Sequence, residues 1–171
     1  MDSENFGPSS SNKFETEFDM VEQIGNGEFG EVFKARHSLT GVVYAVKRAK
    51  KPVGGPKAMS RQMEEVDLLK RLTTGPDRSP YIIQFHDAWQ HNYHLHIQNE
   101  YCSNGTLETF LELVSAVQPR LDEERIWKIM SELSQAVYFI HSAGILHLDI
   151  KPANIFITEY GGLKIGDFGI G

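Results

Sequence analysis

The sequence predicts an α+β fold in two parts, a small β-rich part followed by a helical one. Three observations carry this: short alternating segments near the N-terminus, one helix-period run set among them, and a long helix in the second half that is apolar around much of its circumference. Phe18 to Ile24, Glu31 to His37 and Val42 to Lys47 alternate apolar and polar residues. Gly25 to Gly30 and Ser38 to Gly41 punctuate them, so they read as an antiparallel meander. After the Gly- and Pro-rich loop Lys50 to Pro56, Met59, Met63, Val66, Leu69 and Leu72 recur at helical spacing until Gly75-Pro76 stops them. Ile82 to Gln90 and Tyr93 to Glu100, separated by a His-Asn turn, read as two further strands. Five strands and one helix complete the first part.

In the second part Thr106 to Val117 reads as a short helix. Asp122 is a good N-cap for a longer one, with Glu123 and Glu124 in its first turn and Gly144 at its end. Ile126, Ile129, Met130, Leu133, Val137 and Ile140 form its main stripe, while Trp127, Tyr138 and Phe139 place rings elsewhere. Such a helix belongs inside a larger body than Ile145 to Gly171 can build, so further chain is expected. Met1 to Asn12, rich in Ser, Asn, Gly and Pro, has the composition of a tail that cannot offset its ordering entropy. The expected organisation is a disordered tail over 1–14, a first part over 15–101 and a second over 102–171.

With 171 residues, 40% of them apolar and 23% charged, the chain has an ordinary globular composition. The one cysteine, Cys102, cannot form an internal disulfide, and no charged segment followed by an apolar one opens the sequence, so a reducing intracellular compartment is expected. No apolar run approaches the ~20 residues needed to span a bilayer. The formal charge of -6 argues against nucleic acid as the main ligand. Nucleotide or protein partners are the expectation, with no nucleic acid and no membrane.

Gly25-Asn26-Gly27-Glu28-Phe29-Gly30 matches G-x-G-x-x-G, a weak signal alone. In a dinucleotide-binding fold such glycines open a helix, whereas Glu31 to Ala35 continues as an alternating strand, which favours a glycine-rich hairpin over phosphates. Residues without Cβ let backbone N–H groups approach phosphate oxygens, and Val32 can then press on a flat base. Tyr44-Ala45-Val46-Lys47 follows, and Lys47 can hold phosphate charge if a carboxylate fixes its direction. The next helix offers Glu64 and Glu65. His147-Leu148-Asp149-Ile150-Lys151-Pro152-Ala153-Asn154 and Asp167-Phe168-Gly169 complete the set.

These stretches, in this order, resemble the eukaryotic protein kinases: a glycine loop, a Val-Ala-Ile-Lys strand, a helix glutamate, an H-R-D-L-K-x-x-N catalytic loop and Asp-Phe-Gly. The resemblance implies a protein-kinase-like two-lobe fold, with a complete β-rich N-lobe and a truncated helical C-lobe. It selects Glu65 as the partner of Lys47. It implies Asp149 as the residue that orients or deprotonates the substrate hydroxyl, Lys151 as a neutraliser of γ-phosphate charge, and Asn154 and Asp167 as Mg2+ ligands. ATP would lie against Ile24, Gly25, Asn26, Gly27, Glu28, Phe29, Gly30, Val32, Ala45 and Lys47.

Ala45 to Pro52, Gln98 to Cys102 and His147 to Phe156 are similar to the Wee family of cell-cycle inhibitory kinases, and the similarity spans roughly Phe18 to Gly169. It implies Asn99 as a polar gatekeeper behind the adenine, Glu100 and Cys102 in the hinge, a tyrosine of a cyclin-dependent kinase as substrate, and a nuclear location. Lys151, by contrast, is typical of serine/threonine enzymes. Two positions depart from pattern. Leu148 replaces the Arg that would pair with a phosphorylated activation loop, and Phe168 stands where the Wee family often has Leu.

The alternative is a kinase fragment that binds nucleotide or a partner without transferring phosphate. The expectation is that a longer product is active and these residues alone are not. His91, His94 and His96 suggest a metal, but no Cys or acidic cluster completes a zinc-like set, so solvated or hinge-facing imidazoles are expected. Lys47, Arg48, Lys50 and Lys51 resemble a nuclear signal that the strand assignment of Lys47 undercuts.

Overall fold

In a computed structural model, residues 12–27, 30–52, 56–76, 78–117 and 120–168 are described. The elements run α1 (Lys13–Thr16), β1 (Phe18–Asn26), β2 (Gly30–His37), β3 (Val43–Ala49), α2 (Pro56–Thr73), β4 (Phe85–His91), β5 (His94–Glu100), α3 (Leu107–Val117), α4 (Glu123–Ser142), a 3-10 turn (Pro152–Asn154), β6 (Ile155–Ile157) and β7 (Leu163–Ile165). The expected tail gives way early. Residues 1–11 lie outside the described ones, but Lys13 to Thr16 are helical because Phe14 packs into an aromatic cluster that the polar composition of the segment conceals.

The chain divides into two compact units, the first of residues up to Val66 with Phe85–Tyr101, the second of Asp67–Gln84 with Cys102 onward. Residues 67–84 were expected with the first part. They pack in the second because Ile83 N–H donates to Ile165 O at 2.9 Å, Ile165 N–H donates to Tyr81 O at 2.8 Å, and Arg71 Nη2 donates to Ala143 O at 2.7 Å. For the same reason Ile82 and Ile83 do not begin β4, which starts at Phe85; Ile82 bridges to Ile165 in parallel.

The first unit is a five-stranded sheet of order β1-β2-β3-β5-β4 with antiparallel neighbours throughout. Its register sorts the side chains. Val32 opposes Lys47, and Ala45 opposes Asn99, while Phe33 opposes Val46 and Ala35 opposes Tyr44. Since successive residues of a strand point to opposite faces, Val32, Ala45, Lys47 and Asn99 share one face. Phe33, Ala35, Tyr44 and Val46 share the other, which holds the core of Phe18, Ala35, Val46 and Trp89 with Phe14 and Tyr44 against it. The β4–β5 turn is Asn92-Tyr93, both at positive φ (48° and 64°), the backbone a tight right-twisting hairpin demands.

The second unit builds its core from Leu107, Ile155, Ile157 and Leu163, with Phe110, Leu111, Ile129 and Leu133 packed on it. Asp122 caps α4, its Oδ1 accepting from Arg125 N–H at 2.9 Å, and Ala143 ends the helix before Gly144 turns left-handed at φ 72°. Of the α4 stripe, Ile140 is buried and Ile129 and Leu133 face the core, but Ile126 and Met130 are exposed, as are Trp127 and Tyr138. An open groove of about 760 Å³ runs along Met130, Leu133, Val137 and Tyr138. No helix among the described residues is long and apolar enough to cross a membrane.

His96 is neither solvated nor hinge-facing. It is 2% exposed, stacked on Trp89 at 5.1 Å, and donates from Nδ1 to His94 O at 3.0 Å, while His94 donates to Ala49 O at 2.6 Å. Burial lowers the pKa of His96 to about 4. A depressed folded-state pKa means the unfolded chain takes the proton first, so stability present above pH 6.5 is lost as pH falls toward 4. The full loss is about 3 kcal/mol. Urea unfolding of the chain between pH 7 and 4.5 is expected to show this decline, and His96→Leu to flatten it.

Candidate active site

The first unit supplies a glycine loop and an ion pair. Glu28 and Phe29 of the loop lie outside the described residues; Ile24, Gly25 and Asn26 close β1, and Gly30 opens β2. The three glycines are not equivalent. A Cβ on Gly30 would meet Arg48 O at 2.6 Å, so the approach of β2 to β3 itself requires glycine there. Among the described residues Gly25 and Gly27 have room, their nearest neighbours at 3.5 Å and 3.9 Å, and neither has a left-handed φ. No described residue demands glycine at those two positions, and the absence of a Cβ leaves their backbone open to close approach.

Lys47 lies on the face shared with Val32, Ala45 and Asn99 and donates from Nζ to Glu65 Oε1 at 3.1 Å and Oε2 at 3.4 Å. Glu64, the other candidate, is exposed. Asn99 Oδ1 is buried with no hydrogen-bond partner among the described residues, on the face of Ala45 opposite which it sits in register. Glu100 ends β5, and Lys34 Nζ lies 5.1 Å over the ring of Tyr101.

The second unit holds Cys102, which is buried, and the loop from His147 to Asn154. Asp149 Oδ2 accepts from Lys151 Nζ at 2.8 Å and from Asn154 Nδ2 at 2.9 Å, and the same amide donates to Asp149 O at 2.9 Å. The Lys151 hydrogen bond, helped by Asn154, holds the Asp149 carboxyl below its ordinary range; the same contact raises Lys151, whose charge also feels Asp167. Asp149 is therefore a carboxylate at neutral pH with Oδ2 engaged and, among the described residues, Oδ1 open. Asn154 is buried and spends its amide N–H groups on Asp149, leaving Oδ1 as a neutral oxygen donor.

The sequence reading gave no role to His147, yet it locks this loop. Its Nε2–H donates to Gly166 O at 3.0 Å, its Nδ1 accepts from Asp149 N–H at 3.3 Å, and its ring lies 4.6 Å from Phe168, which is 2% exposed. Gly166 is required by packing, since a Cβ there would meet Phe156 at 2.9 Å. Leu148 and Asp167 take left-handed backbone, φ 63° and 59°, at a cost of order 1–3 kcal/mol each. Leu148 directly precedes the candidate base Asp149, and Asp167 is itself a candidate metal ligand. Gly169 lies outside the described residues.

Among the described residues no three His, Cys, Asp or Glu side chains gather to hold a metal. Asn154 and Asp167 offer oxygen, the donor type a hard cation takes, but too few atoms for the six positions magnesium fills. These residues fit an ion that arrives with phosphate oxygens of its own.

The protein kinase domain family matches residues 18–171. The chain therefore belongs to the protein kinases. It is 42% identical over 163 residues to the mitosis inhibitor protein kinase wee1 of Schizosaccharomyces pombe, an alignment covering 95% of this chain and 18% of the relative. Wee1-like protein kinase 2 of Xenopus tropicalis is 36% identical over 86% of the chain and 25% of its own length. The chain thus spans about a fifth to a quarter of these relatives' length.

Carboxyl-detected NMR titration is expected to place the Asp149 midpoint below the ordinary 3.8 and to move it upward in Lys151→Ala, because Lys151 is the first cause of the depression.

Proposed function

We propose that this chain is the nucleotide-binding and catalytic-loop portion of a Wee-like kinase that transfers the ATP γ-phosphoryl group to a hydroxyl of a cyclin-dependent kinase, restraining mitosis from the nucleus. The observation that carries the chemical part is the Asp149–Lys151–Asn154 network, a carboxylate with one oxygen fixed and one open. The cell-cycle part rests on similarity to kinases named as mitosis inhibitors.

In this reading Gly25 and Gly27 let backbone N–H groups reach the phosphates, and Glu65 aims Lys47 at them. Asn99 Oδ1 gains the hydrogen-bond donor it lacks. Asp149 Oδ1 accepts or orients the attacking hydroxyl, worth roughly 10²–10⁴-fold. Lys151 keeps Asp149 ionised and stands by the transferring group. Asn154 Oδ1 and the Asp167 carboxylate would hold magnesium, which supplies charge neutralisation on the phosphates. Leu148 brings no cation to a phosphorylated activation segment, so activity through this position needs none.

Assayed as the full-length protein on a cyclin-dependent kinase, Asp149→Asn is expected to lower phosphate transfer about 10²–10⁴-fold while ATP affinity stays within a few-fold. Transfer at the wild-type rate by this variant would remove Asp149 from the reaction. Phosphoamino-acid analysis of the product should give phosphotyrosine; phosphoserine alone would overturn the substrate assignment.

A further inference from the structure

The segment Asn12 to Glu17 precedes the residues matched by the kinase family, which begin at Phe18, and nothing in the proposed chemistry uses it. Its contacts are nevertheless dense. Asn12 caps α1, with Oδ1 accepting from Phe14 N–H at 3.2 Å and Nδ2 donating to Glu15 at 3.1 Å. The Phe14 ring centre lies 6.0 Å from Phe18 in β1, 5.3 Å from Phe33 in β2, 6.0 Å from Trp89 in β4 and 5.6 Å from His96 in β5. Lys13 pairs with Asp87 of β4 and with Glu17, and its ammonium sits 5.2 Å over the Trp89 ring. Partial burial works against its charge, but the carboxylates outweigh that and raise its pKa. Glu17 O accepts from Ser38 N–H at 2.9 Å and Ser38 Oγ at 3.0 Å.

The strand order gives these contacts their meaning. β1 and β4 are the two edges of the sheet. In a flat sheet four strand spacings would separate them by about 19 Å. One ring that touches both edges requires the sheet to curl until they approach over a single face. Phe18 and Trp89 do approach there, stacked with centres 6.4 Å apart, and Phe14 fills the remaining gap. Val46 belongs to this cluster, and its chain neighbours Ala45 and Lys47 present to the opposite face.

We propose that Asn12–Glu17 is a clasp that closes the curl of the sheet, and that Phe14 is thereby a positioning residue for the nucleotide-facing side. Joining the edges over one face sets the curvature with which Val32, Ala45 and Lys47 meet ATP. The positioning half rests on the ATP-binding reading; the clasp half does not.

Hydrogen exchange of the 171-residue chain, wild type against Phe14→Ala and Phe14→Tyr, tests the clasp without ligand. In Phe14→Ala the amides of β1 and β4 should lose protection together, about ten-fold more than those of central β3, and Phe14→Tyr should restore it. Retained edge protection, or a uniform loss through the unit, overturns the clasp. ATP titration of the same proteins should show about ten-fold weaker binding for Phe14→Ala and near wild-type binding for Phe14→Tyr. Unchanged affinity with loosened edges refutes the positioning half, as does a folded wild type that binds no ATP, which also refutes the ATP-binding reading. Should Phe14→Ala not fold, Lys13→Glu should loosen the same edges and added Asp87→Lys should restore them; no restoration counts against the clasp.

Discussion

The alternation of one strand, β3, governs the first unit. Lys47 has to turn one way to meet Glu65, and once it does the pleat sends Val46 the other way. Register then propagates the choice. Val32 and Asn99 are committed to the side of Ala45 and Lys47, and Phe33, Ala35 and Tyr44 to the side of Val46. A slip of one residue in any pairing would bury the lysine in an aromatic core and expose that core to water, so the same hydrophobic burial that holds the sheet together fixes the direction of Lys47.

In the second unit the equivalent constraint is the side-chain amide of Asn154. It grips Asp149 by both backbone and carboxylate, and His147 grips the loop from the other side through Asp149 N–H and Gly166 O. With those ties made, Leu148 and Asp167 can be held in left-handed backbone that neither residue prefers. The strain is a consequence of over-determination: too many hydrogen bonds converge on the loop for it to relax.

Strands and helices were legible because their periods are long and clean; Asp122 announced α4, and the run from Met59 to Leu72 announced α2. The residues alone left Glu64 and Glu65 equally open as the partner of Lys47, and only the resemblance to protein kinases picked out Glu65, which the ion pair bears out. Other features were not legible, among them the short strands β6 and β7 and the hold of His147 on its loop. Ile82 and Ile83 read as the start of β4 because a buried isoleucine pair has no period of its own, and only their pairing with Ile165 assigns them to the second unit. His96 looked polar by residue type, although a neutral imidazole stacked on Trp89 packs as an aromatic ring. Phe14 stood alone in a polar stretch, and its partners lie on four strands that no local window joins.

In the proposed function Lys47 and Asp167 each contribute to the binding of ATP with magnesium. Thermal unfolding of the chain with ATP, with and without magnesium, tests it most directly when set beside Lys47→Ala and Asp167→Asn. Stabilisation by ATP that depends on magnesium and that each substitution weakens is the predicted result. A folded chain whose melting temperature ignores ATP, or a response that both substitutions leave intact, would contradict it.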